Sequence, residues 1–314
     1  MKPKGITIWI AIGVVLLFLS LTIQAQPSVW RVASLFMLSL IIATGLHLVT
    51  GVAKVISLCH VAFCGVGAYA AGKLSISSGM TPLLAVALGA AIAGTVALIL
   101  AWITVSLEDH YLTLATLAAS EILGNLFRSW TAVTGGANGL IGVPPLSFLN
   151  ISLGTPSRYF AVCTLAAISA IILILRLENS VFGKSLRAVG DADIMVESFG
   201  LRRNVLRLFA FAIGGTLAGI AGAIGAHMDG FVGPESFGVA QSVSYLCFLV
   251  IGGLGQLRGV IVAGVFAVFA TDILRGFQGW QMVILSTLVI FTLWWSSRSP
   301  STFSKTDAAS QVPE

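Results

Sequence analysis

Charged residues punctuate this chain at wide intervals, and the stretches between them are almost continuously apolar. Nothing charged stands between Lys4 and Arg31, Arg31 and Lys54, Lys54 and Lys73, or Lys73 and Glu108. Glu121 alone interrupts Tyr111–Phe127, and Arg158–Arg176, Arg207–Asp229, Glu235–Arg258, Arg258–Asp272 and Arg275–Arg298 complete the series. A charge at the bilayer centre costs about 2.5–3.5 kcal/mol, so each clear stretch reads as one membrane helix. The pattern predicts an all-α, polytopic transmembrane bundle of about ten spans. The count falls to eight if Val55–Gly72 and Gly259–Thr271, both short and glycine-rich, are broken or re-entrant. Barrel strands would alternate polar and apolar positions, which Ile6–Ile23 and Met282–Trp295 do not. Ile6–Ile23 follows Lys2 and Lys4 as a secretory signal would. It is longer than the usual signal core and reads as an uncleaved helix.

Composition agrees with the pattern. Of 314 residues, 57% are hydrophobic and 9% charged, against roughly 25% charged in a soluble domain. Disorder is excluded by the hydrophobicity, and a disulfide scaffold by a count of four cysteines. The charges also orient the chain. Six of its 17 basic residues fall in Arg176–Arg207, which the positive-inside rule places in the cytoplasm. Lys2, Lys4, Arg298 and Lys305 put both termini on that side, consistent with six spans before the loop and four after it. The net charge of +5 therefore reflects membrane topology and implies no nucleic-acid partner. One transmembrane domain over 1–300 and a cytoplasmic tail over 301–314 are expected.

Chemistry-bearing motifs are few. No phosphate-binding G-x-x-x-x-G-K-[ST] loop and no G-x-S-x-G elbow occurs, so neither an ATPase site of that kind nor a catalytic serine is expected, and no cofactor. Cys59, Cys64, Cys163 and Cys247 lie in apolar stretches and read as buried thiols. Gly215, Gly219 and Gly222, and likewise Gly255 and Gly259, fall at intervals that let helix backbones approach closely in lipid. Glu121 is the one acid well inside a predicted span, and such a group is by default a functional candidate. Within 176–207, Ser185–Phe199 is drawn as a short amphipathic helix stopped by Gly200. A loop of this size suggests a docking surface for another protein. Leu186 and Val189 are its expected anchors, and Lys184, Arg187, Asp191 and Glu197 its orienting charges. Ser129–Ser157, rich in turn formers, and Asp229–Gly238 are expected on the outer face.

At these motifs the sequence resembles a known family. SLCHVAFCGVGAY (Ser57–Tyr69), TLAASEIL (Thr116–Leu123) and TGGANGLIGVPP (Thr134–Pro145) resemble the signatures of branched-chain amino acid ABC importer permeases. So do FGKSLRAVGDADIMVESFG (Phe182–Gly200), GFVGPESF (Gly230–Phe237) and VIGGLGQLRG (Val250–Gly259). They occur in family order over about 45–265 and favour the M-type (LivM-like) subunit. The resemblance implies pairing with a second, homologous permease, two cytoplasmic ATPases that bind the ATP, and a periplasmic substrate-binding protein at a bacterial inner membrane. It implies that the ATPase engages the charged loop at Lys184–Gly200. It also makes His60, Phe63, Glu121, Asn138 and Gly139 candidates for the translocation path. Three positions depart from the pattern: Lys54 stands where a small residue is usual, Cys59 where glycine is usual, and Gln256 replaces a small hydroxyl residue.

Branched-chain or other hydrophobic amino acids are the default substrates, with urea or another small organic solute as the alternative inside the family. An ion-coupled secondary transporter should show more buried ionisable residues and an inverted repeat. A membrane enzyme should show clustered His, Asp or Glu. The sequence offers neither.

Overall fold

The structure, a computed structural model, describes residues 26–148, 151–191 and 202–268, together with Thr287. All of these except Thr287 belong to one of the chain's two compact units, Met1–Val268. The predicted span Ile6–Ile23, nearly all of Arg275–Arg298, and the tail 301–314 lie outside the described residues.

Nine helices longer than one turn are described: α1 Pro27–Leu46, α2 His60–Ser78, α3 Pro82–Thr104, α4 Asp109–Ser129, α5 Pro156–Asn179, α6 Val181–Asp191, α7 Arg203–Asp229, α8 Val239–Gly252 and α9 Leu257–Val268. Their boundaries follow local chemistry. Pro27, Pro82 and Pro156 open α1, α3 and α5, where a missing N–H costs nothing. Gly79 (φ 57°) and Gly230 (φ 67°) close α2 and α7 in the left-handed conformation. Past Leu46, α1 continues as a π-helical turn, His47–Val52, with Ala53 N–H donating to Leu48 O, five residues back. Residues 53–59 then form no regular helix, so the segment flagged as breakable is broken before His60.

Four stretches are long and apolar enough to cross a membrane: Pro27–Val52, α3, α5 and α7. The run expected to span 235–258 contains only the 14-residue α8. It gives way to α9 at a turn through Gly253 (φ 100°) and Gly255 (φ 75°). Gly255 is therefore a turn residue, and the Gly255/Gly259 spacing is no helical stripe. Gly259, one turn into α9, does pack closely, against the carbonyls of Leu249 and Gly253.

The core is a close crossing of α2, α3 and α7. A Cβ at Gly219 would press on Ala90 and Ala93, one at Gly215 on Ala97, and one at Gly222 on the Cys64 carbonyl. These three glycines thus pack helices within the chain, as their spacing suggests. α1 lies across α7 and packs on α5, with Trp30 and Phe160 at a centroid distance of 5.2 Å.

Candidate functional site

At one end of the bundle, α5 turns directly into α6. Ser180 Oγ accepts from Gly183 N–H (3.3 Å), and Ser180 O accepts from Lys184 N–H (3.1 Å), capping the new helix. The corner is tight enough that a Cβ on Gly183 would collide with the Leu177 carbonyl and the Glu178 backbone. Every third residue of α6 is inward: Gly183, Leu186 and Val189 are buried, whereas Val181, Lys184 and Arg187 are exposed. Leu186 and Val189 were expected as outward anchors. They are 0% and 1% exposed and form part of this chain's own core. An amphipathic period shows that one face is covered but not by what. The helix also starts and ends earlier than drawn, at Val181–Asp191 in place of Ser185–Phe199. Glu197 and Gly200 lie outside the described residues, as does the side chain of Asp191.

The same end holds a polar group that the pattern of charges did not suggest. Glu178 sits one residue before the end of α5 and is 15% exposed. Its Oε1 accepts from Nε2 of His47, 1% exposed, at 2.9 Å, and its Oε2 accepts from Nη2 of Arg187 at 3.1 Å. Beside it, a Cβ on Gly190 of α6 would meet Lys54 Cγ at 3.1 Å and Val52 O at 3.2 Å. Lys54 is the one non-glycine residue with positive φ (54°) among the described residues. Its departure from the family pattern is thus a lysine in a left-handed position where a glycine is unstrained.

The residues expected along a path do not converge. His60 (1% exposed) is wedged where α1 crosses α7: a Cβ on Gly45 would meet its Nε2 at 2.7 Å, and one on Gly214 its Cε1 at 3.0 Å. Neither ring nitrogen has a hydrogen-bond partner among the described residues. Phe63, fully buried, lies edge-on to His60 at 6.2 Å. Glu121 is exposed on the opposite side of α4 from that helix's buried stripe of Leu112, Thr116, Ser120 and Phe127. Leu58 N–H donates to Thr116 Oγ1 at 3.2 Å, fastening the break before α2 to α4.

Asn138 and Gly139 lie at the far end. Gly139 (φ 72°) backs onto the Phe231 ring and the Val232 carbonyl, and Asn138 is exposed. The next two residues, β1 Leu140–Ile141, pair antiparallel with Phe231–Val232. Three residues past Ile141, Pro144 O accepts from His227 Nδ1 at 2.7 Å. Tyr159 O–H donates to His227 O at 2.7 Å and accepts from Leu146 N–H at 2.8 Å. Arg31–Asp229 (2.9 Å) and Arg128–Glu235 (3.3 Å) are ion pairs at this end. The turn-rich segments are therefore an organised cap.

Comparison with known proteins is consistent with this geometry. The family described as "Branched-chain amino acid transport system / permease component" matches residues 28–293. The high-affinity branched-chain amino acid transport system permease protein LivM of Escherichia coli (strain K12) is 27% identical over 287 residues, 84% of this chain and 68% of that protein. LivM of Salmonella typhimurium gives the same figures. The autoinducer 2 import system permease protein LsrC of Yersinia pseudotuberculosis is 26% identical over 150 residues, 46% of this chain and 40% of that protein. No solved structure matches.

Proposed function

Since the chain belongs to the branched-chain amino acid transport permease family, we propose that it is the M-type permease of an ATP-driven importer for branched-chain or other hydrophobic amino acids. The observation that carries this reading is the family match over 28–293, supported by the likeness to LivM over 84% of this chain and 68% of that protein. The protein is an integral membrane permease component. In the proposed assembly it sits in a bacterial inner membrane with a homologous permease, two cytoplasmic ATPases that hold the ATP, and a periplasmic binding protein.

The end bearing α6 faces the cytoplasm in this reading, as do both termini, in keeping with the basic residues of 176–207. The ATPase docks on the exposed side of α6, at Val181, Lys184 and Arg187, and on the residues that follow as far as Gly200. The opposite cap, with Asn138 and Gly139, receives substrate from the binding protein. Between them, the outward face of α4 carries Glu121 and Asn125 and meets the second permease, because neither group is suited to lipid. His60 and Phe63 support that path from behind by fixing the start of α2.

The test is ATP hydrolysis by the reconstituted complex in the presence of its binding protein. Leucine, isoleucine and valine are expected to stimulate it. Stimulation by urea or autoinducer 2, with none by the branched-chain amino acids, would reassign the substrate.

A further inference from the structure

The carboxylate of Glu178 is shared between two elements, the π-helical turn and α6. One oxygen takes His47 Nε2, on the first residue of the π-helical turn, and the other takes Arg187 Nη2, on α6. A second, steric link runs beside it, where the Gly190 backbone seats against Val52 and Lys54. The turn between α8 and α9 joins the same place: a Cβ on Gly51 would stand 2.8 Å from His47 Nδ1 and 2.9 Å from Gly255 N. From Val52 the chain doubles back through residues 53–59 to His60, locked between Gly45 and Gly214. The π-helical turn thus touches α6 and the α8–α9 turn and leads into the corner before α2.

We propose that Glu178 is a positioning residue for energy coupling: by holding Arg187 and His47 at once, it delivers displacement of α6 to the π-helical turn and through it to the start of α2. The inference rests on the importer reading, since it needs a partner that moves α6. Its physical basis is that charge-assisted bonds are short and directional. With the steric contact at Gly190 they make the helix and the turn move together, as a change between two packed arrangements requires. Spatial intermediacy alone does not establish coupling, so the experiment measures coupling itself.

The whole importer, with both permeases, both ATPases and the binding protein, is reconstituted in proteoliposomes. Uptake of labelled leucine and ATP hydrolysis are recorded with and without leucine-loaded binding protein. Glu178→Gln keeps the size and removes the charge, and His47→Asn alters the other side of the link away from the docking face. Both variants are expected to assemble with the wild-type subunit ratio. In each, the stimulation of hydrolysis by loaded binding protein falls about tenfold, and leucine moved per ATP falls at least fivefold. The double variant is no worse than either single one, and Glu178→Asp restores part of the ratio. A merely structural role would lower assembled complex, uptake and hydrolysis together and leave leucine per ATP unchanged; that result overturns the proposal. So does additivity of the two single effects. Should Glu178→Gln fail to assemble, His47→Asn decides alone by the same ratio. If the wild-type complex itself shows no stimulation by loaded binding protein, the importer reading fails and the proposal with it.

Discussion

α3 and α4 are neighbours of similar length that solve opposite problems. α3 turns small residues inward, Ala85, Gly89, Ala90, Ala93, Gly94, Ala97 and Ala101. It leaves Leu83, Leu84, Leu88, Ile92, Ile99, Trp102 and Ile103 exposed. Large apolar side chains outside and small ones inside is the arrangement of a helix with lipid on its free face, where tight backbone approach replaces the hydrophobic effect. α4 buries larger groups, Leu112, Thr116 and Phe127, and exposes Glu121, Asn125 and Arg128 among its apolar residues. It is not among the helices apolar enough to cross a membrane alone. The contrast separates an exposed face suited to lipid from one that carries groups lipid disfavours, which the proposed assembly gives to the second permease.

The sharpest way to break the contrast is to exchange charge between the two faces. Ile92→Asp, at the middle of α3, should cost about 2.5–3.5 kcal/mol of insertion free energy and deplete the protein from the membrane fraction, read by immunoblot. Glu121→Leu on α4 should leave that level unchanged and lower leucine uptake at least tenfold; equal depletion by both would show that the faces meet the same medium. A smaller effect comes from the inward sides. Gly89 has the Gly67 carbonyl at 2.7 Å and Ala71 Cβ at 2.9 Å from the position of a Cβ. Gly89→Leu should therefore destabilise the purified chain by about 1–3 kcal/mol through overpacking, seen as a lowered melting midpoint. Smallest is Gly124→Ala on α4, where an added Cβ meets nothing within 4 Å. It should stabilise the isolated chain by about 0.5–1 kcal/mol through helix propensity. A lowered midpoint in the isolated chain would place a covering element there already.

Much of this was legible in the sequence. Gaps between charges located α1, α3, α5 and α7, because lipid penalises charge regardless of tertiary context. Proline and glycine marked several helix ends because their constraints are local. Most of what failed depended on partners distant in the chain. The period of α6 did not reveal that Leu186 and Val189 face inward, since either face of an amphipathic helix can be the covered one. Gly255 matched a four-residue spacing, but Gly253 two residues earlier had already ended the helix. Glu178 and His47 stand 131 positions apart, and the only trace in the sequence was an acid inside a basic loop. Lys54 was visible as an oddity, and its backbone angle supplied the reason.

The π-helical turn has an arithmetical consequence. A π-helical bond closes over five residues where an α-helical one closes over four, so His47–Val52 contains one residue more than an uninterrupted α1 would need. Removing a single residue there, Thr50 for instance, would barely change the apolar length of the stretch. It would close the π turn into an ordinary α-helix and leave the residues beyond it in nearly their present phase. Adding a residue to the regular part of α1 has no such outlet: everything after it would turn by about the 100° that one residue subtends in a helix of 3.6 residues per turn, carrying Val52 and Lys54 away from Gly190 and Gly51 from Gly255. A one-residue insertion in an inconspicuous apolar stretch would then act on the contacts of the π-helical turn, as a frame error in three dimensions.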